Sequence, residues 1–257
     1  MPRPEVQLVV RFGPSTRSGI DIHAFGVRQS AHRKVIRAGQ RTVTARLRLG
    51  AQQAVLGVPA AQIAGRIVAL EDLWGCAATR QLVDQLAQAP DTAAAAAILD
   101  RAIADRITTA VGDPAHLQLA LTAADRLAKT SVNAVALGLG VSERHLRRVF
   151  HETVGLSPKA FARLARFHRA LGAAREGGAV SWANIAAAAG YYDQAHLIAE
   201  FRAIAGATPR ALLGELGNHG HSPAARVCSA RDVGLAELAW AGSGGRDRNA
   251  AVARGAR

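Results

Sequence analysis

The chain has few of the residues on which several functions depend. Its 257 residues include only two cysteines, Cys76 and Cys228, and their separation fits neither a metal-ligand motif nor a disulfide framework. No apolar run approaches the roughly 18 residues that a membrane span needs. Arg3, Glu5 and Arg11 stand where a signal peptide would have its apolar segment. We therefore expect a cytoplasmic protein with no zinc or redox role and no membrane partner.

Catalytic motifs are also missing. The sequence has no Gly-x-Ser-x-Gly motif, no P-loop and no His-Glu-x-x-His motif, and its carboxylates are scattered. Gly138-Leu-Gly140 begins a Gly-x-Gly pattern, but no strand precedes it and no third glycine follows, so it is typical of a turn. His23 and His32 are the one candidate metal pair, and two separate surface or core histidines are the simpler interpretation. We therefore predict no enzymatic activity, no cofactor and no metal.

Acidic residues are scarce compared with basic ones. The chain has 19 Asp and Glu against 32 Lys and Arg, a formal net charge of +13, and this excess favours a polyanionic partner such as nucleic acid. Only Lys34, Lys129 and Lys159 are lysines, so codon bias toward arginine is an alternative explanation. Between Ser142 and Arg175, however, eight basic residues face only two acidic ones. The position of the charge therefore matters more than its total.

The stretch from Ser131 to Phe150 predicts two short helices separated by a tight turn. Val132–Gly138 is apolar, Gly140 can adopt the positive φ that the turn requires, and Ser142 can cap the second helix. Apolar residues at spacings of three and four share one side of that helix, and cationic residues share the other. The apolar side consists of Leu146, Val149 and Phe150, and the cationic side of Arg144, Arg147, Arg148 and His151. This is a helix-turn-helix pattern.

The pattern occurs twice in the chain. A shift of 50 aligns the first helix and its turn with a second copy, and a shift of 51 aligns the second helix and the residues beyond it. The equivalent pairs are Ser131 and Ser181, Gly140 and Gly190, Ser142 and Asp193, Phe150 and Phe201, and Pro158 and Pro209. The second copy therefore has one extra turn residue. Gly155 and Gly206 predict helix ends, and Ser or Thr before proline predicts the next helix start.

These motifs resemble the DNA-binding domain of the AraC/XylS family of transcription regulators. The resemblance is carried by Leu139-Gly-Val-Ser-Glu-Arg-His-Leu-Arg-Arg-Val-Phe150, Gly155-Leu-Ser-Pro158, Ala188-Ala-Gly-Tyr-Tyr-Asp-Gln-Ala-His-Leu-Ile-Ala-Glu-Phe201 and Gly206-Ala-Thr-Pro-Arg210. It covers roughly residues 115–214. It implies two helix-turn-helix units, joined by a long helix at Pro158–Glu176, that bind successive major-groove segments of double-stranded DNA. It also implies an activator of transcription that contacts RNA polymerase.

The resemblance implies which residues contact bases. They are Arg144, Arg147 and Arg148 in the first copy, and Gln194, Ala195, His196, Ile198 and Ala199 in the second. On the helical wheel, His151 and Arg202 complete the two outward faces, so the first face is cationic and the second mostly apolar. His145 and His196 lie beside the apolar stripes, where packing competes with base contact as their role. The candidates for phosphate contact are Ser142, Lys159, Arg163, Arg166 and Arg169.

The N-terminal third predicts a different kind of structure, which makes the fold class α+β. Residues 5–12, 21–25 and 41–49 are β-rich and separated by glycine and proline. Residues 59–75 resemble the segment after a small β-module in a subset of AraC-like regulators. That resemblance implies that residues 1–75 sense a small-molecule effector or dimerise. Because Met1 falls almost on a strand, we expect this module to be reduced or incomplete, and both a monomer and a homodimer stay open.

Three further regions follow the β-rich module. Residues 76–112 predict a helical connector, with helices at 79–89 and 92–109 that link the modules or pair between subunits. Residues 113–214 form the predicted DNA-binding domain, which begins with a helix at 115–129. Residues 215–257 are rich in arginine and glycine, and we expect a largely disordered tail with a short helix at 232–240. The tail is expected to add phosphate affinity.

Two other functions compete with sequence-specific regulation. The arginine-rich tail is also typical of a nucleoid-type protein that coats DNA without sequence preference. A small-molecule sensor that acts mainly through protein contacts would instead bind no DNA even at low salt. Neither the target genes nor the effector follow from the residues. The leading prediction is a sequence-specific regulator at the nucleoid.

Overall fold

A computed structural model describes residues 2–13, 16, 19–31, 40–107, 113–176, 181–216 and, for the backbone alone, 217–218 and 225–229. The N-terminal region forms a small antiparallel sheet of four strands in the order β4-β2-β1-β3. Their bounds are β1 Gln7–Phe12, β2 Ile20–Phe25, β3 Arg41–Arg46 and β4 Ile67–Ala69. In β1 the side chains of Leu8, Val10 and Phe12 alternate into the core. The predicted third strand is three residues too long, because the chain turns at Gly50 with φ 86°.

The described part of the N-terminal half also contains five helices. They are α1 Gln52–Leu56, α2 Ala60–Ile63, α3 Leu70–Trp74, α4 Cys76–Ala87 and α5 Thr92–Arg106. Asp91 caps α5, and its carboxylate accepts the Ala94 N–H at 2.8 Å. Because α5 packs on β3 and α4 packs on α5, these two helices belong with the sheet, and we call β1–β4 together with α1–α5 the β-module. The prediction of a connector between modules missed this packing, since Leu82, Leu86 and Leu99 bury their stripe inside the module.

The C-terminal part is helical. Its elements are α6 Pro114–Leu127, α7 Val132–Gly138, α8 Glu143–Val154, α9 Pro158–Glu176, α10 Trp182–Ala189, α11 Gln194–Ala205 and α12 Pro209–Asn218. The predicted bounds of α7 and α9 are confirmed. Local chemistry explains the agreement: Ser131, Ser142, Ser181 and Asp193 each accept a backbone N–H at a helix start, and left-handed glycines close α8 and α11.

Two parts of the predicted tail have regular structure. Helix α12 extends four residues beyond the expected domain boundary at 214. A fifth strand, β5 Ala225–Ser229, pairs in parallel with β3, where Thr42 lies opposite Ala225. The unpaired edge of β3 offers its N–H and C=O groups to such a segment, and composition alone did not predict this pairing. The predicted helix at 232–240 lies outside the described residues.

The β-module and the helical part share one hydrophobic cluster. Leu117 of α6 packs against Gly50, at a distance that leaves no room for a Cβ there. Helix α2 packs on α8. The Nε2–H of His168, on α9, donates to the carbonyl of Pro2 at 2.7 Å, since a carbonyl can only accept. The N-terminal region is therefore seated directly on the helices that carry the repeated motif.

Candidate nucleic-acid interface

The repeated motif forms two helix pairs, α7 with α8 and α10 with α11. In the first pair, the Val141 N–H donates to the Ala136 carbonyl at 3.1 Å; in the second, Tyr191 and Ala186 form the same bond at 2.9 Å. These bonds align at a shift of 50. The extra residue of the second turn is therefore Tyr192, which is 91% exposed. The sequence indicated one added residue, but only the hydrogen bonds show which one it is.

Helix α8 presents a cationic surface. Leu146, Val149 and Phe150 are fully buried, and the four cationic residues of the opposite side are exposed, namely Arg144, Arg147, Arg148 and His151. The edge of the Phe150 ring faces Phe161 of α9, with the ring centroids 5.3 Å apart. This packing holds the apolar face of α8 against α9 and leaves the three arginines of α8 exposed to solvent. The predicted division of the two faces is confirmed, while their contact with DNA stays a prediction.

The arginines of α8 differ in their partners. Arg147 forms an ion pair with Glu143, and Arg148 lies 3.2 Å from Glu152. Arg144 forms no ion pair or side-chain hydrogen bond with any described residue. Exposed i,i+4 pairs of this kind contribute only about 0.3–0.5 kcal/mol, whereas a bidentate contact with guanine is worth about 1–3 kcal/mol. Each of the three guanidinium groups can therefore move to contact a base at a small cost in free energy.

Helix α11 presents a different surface. Gln194, Ala195, His196, Ala199 and Arg202 are exposed, while Ile198 is half-buried and packs against the core. Asp193 caps the helix, and its carboxylate accepts the His196 N–H at 2.7 Å. The His196 ring meets Tyr191 edge to face, with the centroids 5.4 Å apart. The predicted exposure is confirmed for Ala195, Ala199 and Arg202, whereas Ile198 lies only partly at the surface.

The two related histidines have different surroundings. His145 is half-buried, and its ring lies 5.7 Å from that of His116 on α6. His196 is exposed at the start of α11. Packing therefore accounts for His145. The exposure of His196 leaves room for a base contact as well as for its contact with Tyr191.

Three of the four phosphate-contact candidates on α9 have partners within the protein. Arg163 Nε lies 2.6 Å from Glu200 Oε2, and the Arg166 guanidinium lies 5.9 Å from the Tyr191 ring centroid. Both arginines are half-buried. Arg169 is exposed but donates to the Ala128 carbonyl. Arg163 and Arg166 thus have partners on α11 and in the turn before it, neighbours that a helical wheel of α9 alone does not contain.

A cluster around Tyr191 joins α9 to the second helix pair. Burial raises the pKa of Tyr191 to about 12, and the carboxylate of Glu200 acts in the same direction, against the positive charges of Arg166 and Arg163. The phenol therefore stays neutral at physiological pH. Sequence reasoning missed this cluster, although the aromatic pair Tyr191-Tyr192 before a helix cap was its visible signal.

Lys159 and Ser142, the remaining phosphate-contact candidates, are exposed. Lys159 is exposed in the first turn of α9. Ser142 caps α8, where its hydroxyl accepts the His145 N–H at 3.2 Å, and the hydroxyl proton remains available to a phosphate oxygen. His23 lies 3.6 Å from Asp21 in the sheet, and His32 lies outside the described residues.

Comparison with known proteins gives one result for this site. A search of curated protein sequences finds no match. Within the described residues, no helix combines the length and the apolar character needed to cross a membrane. Residues 135–214 match a family model described as a helix-turn-helix domain, a span that runs from α7 into α12. This match supports an AraC-like DNA-binding domain at these residues and indicates a DNA-binding regulator of transcription.

Proposed function

We propose that the protein is a sequence-specific activator of transcription that inserts α8 and α11, its two reading helices, into successive major-groove segments of double-stranded DNA. The observation that carries the proposal is the repeat itself: two capped helix pairs, related by a shift of 50 to 51 residues, each with an exposed second helix. The major groove admits an α-helix, and successive segments lie about 34 Å apart.

The two reading helices have different chemistry. Arg144, Arg147 and Arg148 can each donate two hydrogen bonds to the O6 and N7 atoms of guanine, and His151 lies one turn further along. On α11, Ala195, Ile198 and Ala199 can contact thymine methyl groups, and Gln194 can pair with adenine. His196 and Arg202 lie at the edges of that face. We therefore propose a G-rich half-site under α8 and an A/T-richer half-site under α11.

Phosphate contacts supply the affinity that does not depend on sequence. Ser142, Lys159 and Arg169 are exposed and suited to this role. Arg163 and Arg166 stay candidates, but the ion pair of Arg163 with Glu200 must open before that arginine can contact a phosphate. We expect the exposed residues to contribute more.

The resemblance extends the proposal beyond DNA. It adds contact with RNA polymerase and, for the β-module, a small-molecule effector. One chain carries both reading helices, so a monomer suffices to bind a complete site, and a homodimer is the alternative. A cytoplasmic, nucleoid-associated location belongs to the same proposal.

Competition with random DNA tests this function against a non-specific coating role. The native protein, bound to a selected site, is challenged with a large excess of random duplex. A regulator stays bound, because specific sites are typically 10³-fold or more tighter than non-specific DNA. Equal displacement by random and specific competitor would contradict the proposal and favour the coating role, for which the arginine-rich residues 219–257 are the supporting feature.

A further inference from the structure

The β-module contacts the C-terminal end of the first reading helix. Gln52, at the start of α1, is 3% exposed, and its amide nitrogen donates to the carbonyl of Thr153 in the last turn of α8. The last four carbonyls of a helix have no partner within the helix. A buried glutamine from a distant part of the chain therefore satisfies one of them, and it specifies where α8 ends relative to the module.

The packing around this hydrogen bond is close. A Cβ on Gly155, the left-handed residue that ends α8, would lie 2.8 Å from Val27 Cγ2 and 2.9 Å from the Ala60 carbonyl oxygen. The corresponding glycine of α11, Gly206, has no atom within 4 Å of such a Cβ. The backbone of the module thus touches the end of α8 directly, and only a glycine permits that approach.

The same module also reaches the second reading helix. The N–H of Ala31 donates to the carbonyl of Ile204, in the last turn of α11, at 2.7 Å. Val27 and Ala31 are four residues apart, so their Cα atoms can be separated by at most roughly 14 Å. One short segment of chain therefore runs from the end of α8 to the end of α11.

We propose that Gln52 and Ala31 are positioning residues that set the distance and angle between the two reading helices, so that the β-module determines which spacing of half-sites is bound. This inference rests on the proposed function. A rigid pair of reading helices fits one spacing of the two groove segments, whereas a loosened pair tolerates a shift by one base pair. The module then acts on DNA recognition without contacting DNA.

The substitution Gln52→Leu tests the contact with α8. Its matched control is Gln62→Leu, which makes the same change at an exposed position of α2. For each full-length variant, Kd is measured on a selected site and on copies with the spacer lengthened or shortened by one base pair. We expect Gln52→Leu to reduce the preference for the native spacing by roughly 5-fold, the size of one net hydrogen bond, while base preference within each half stays native. An unchanged spacing preference in a folded Gln52→Leu protein overturns the proposal.

The substitution Ala31→Pro gives a second test at α11. It removes the N–H donor on a segment outside helices and strands, and Ala31→Gly keeps the donor as the control. Should Gln52→Leu fail to fold, the spacing preference of Ala31→Pro decides: a relaxed preference supports the proposal, and a native one overturns it. When both variants fold, the spacing preference of Ala31→Pro is judged by the same criterion.

Hydrogen exchange separates this proposal from the proposed function. Without DNA, we expect faster amide exchange over residues 149–157 in Gln52→Leu and over 200–207 in Ala31→Pro, with neither control affected. If the native protein binds DNA without sequence preference, the proposed function fails, while the exchange result still shows whether the module holds both helix ends. Exchange that matches the controls overturns the positioning role even if specific DNA binding is found.

Discussion

At the scale of single residues, the cationic side chains of α8 carry most of the expected base recognition. We expect Arg148→Ala to cost about 1–3 kcal/mol of DNA-binding free energy and to relax preference within one half of the site only. Because its ion pair with Glu152 is exposed, the free energy of unfolding should change by less than about 0.5 kcal/mol.

Binding to a panel of single-base-pair variants of the selected site measures this effect. Arg175→Ala, which removes an exposed arginine near the end of α9, is the control and should leave base preference unchanged. A loss of preference spread evenly over both halves after Arg148→Ala would contradict the assignment of this arginine to one half-site.

The half-buried His168 makes stability depend on pH. Burial lowers the pKa of His168 from its ordinary 6.5, and the charge of Arg3 lowers it further, although the hydrogen bond to Pro2 acts in the opposite direction. The unfolded chain therefore binds a proton more readily than the folded chain. Stability contributed by the neutral imidazole is complete above about pH 6.5 and is lost as pH falls through the lower, folded pKa.

Chemical unfolding at pH 7.5 and at lower pH measures this dependence. We expect His168→Gln to reduce the loss of stability on acidification, compared with the native protein. His151→Gln changes an exposed histidine of α8 and serves as the control. An equal loss in the His168→Gln and native proteins would show that the His168 imidazole does not account for the pH dependence.

At the scale of helices, the two glycines that end the reading helices allow a matched comparison. Gly155 and Gly206 have φ of 78° and 69°, so alanine at either position costs about 1–2 kcal/mol for the left-handed backbone. At Gly155 the added methyl group also meets the backbone of Ala60. We therefore expect Gly155→Ala to lower the free energy of unfolding clearly more than Gly206→Ala does. Equal losses of unfolding free energy for the two variants, measured by denaturant unfolding, would show that the β-module does not pack closely against the end of α8.

The bounds of the helices could be predicted from local chemistry, whereas the packing between elements could not. Ser142, Gly155 and Pro158 specify starts and ends through their own hydrogen bonds and backbone angles, so the bounds of α9 followed from the sequence. The partners of Arg163 did not, because Glu200 lies 37 residues away and a helical wheel contains no neighbours. The seating of α4 and α5 on the sheet and the pairing of β5 also depend on distant residues.

In the candidate site, too, local features could be predicted from the sequence and long-range contacts could not. The repeat predicted the exposed face of α8 and, apart from Ile198, that of α11, because the period of a helix determines them. The contact between Gln52 and Thr153 joins residues that are 101 positions apart, and no periodicity indicates such a pair. The extra turn residue became assignable to Tyr192 only through a hydrogen bond of its neighbour.

At the scale of the whole molecule, the net charge of +13 implies that DNA binding depends strongly on salt. With about four to eight phosphates neutralised, log K should fall against log salt with a slope of roughly −4 to −7. Deleting residues 230–257 removes five arginines and leaves β5 in place. We expect that deletion to make the slope shallower and to leave the preferred sequence unchanged. A slope near zero in a titration from low to high salt would contradict the electrostatic account.

We propose that one chain reads two groove segments with helices of unequal chemistry. The decisive experiment is the selection of bound sites from a random DNA pool by the 257-residue chain. We expect a motif in two parts, centred about 10 base pairs apart, with more information and more guanine in the half assigned to α8. A pool with no enriched motif, or a motif with equal information in both halves, would contradict the account.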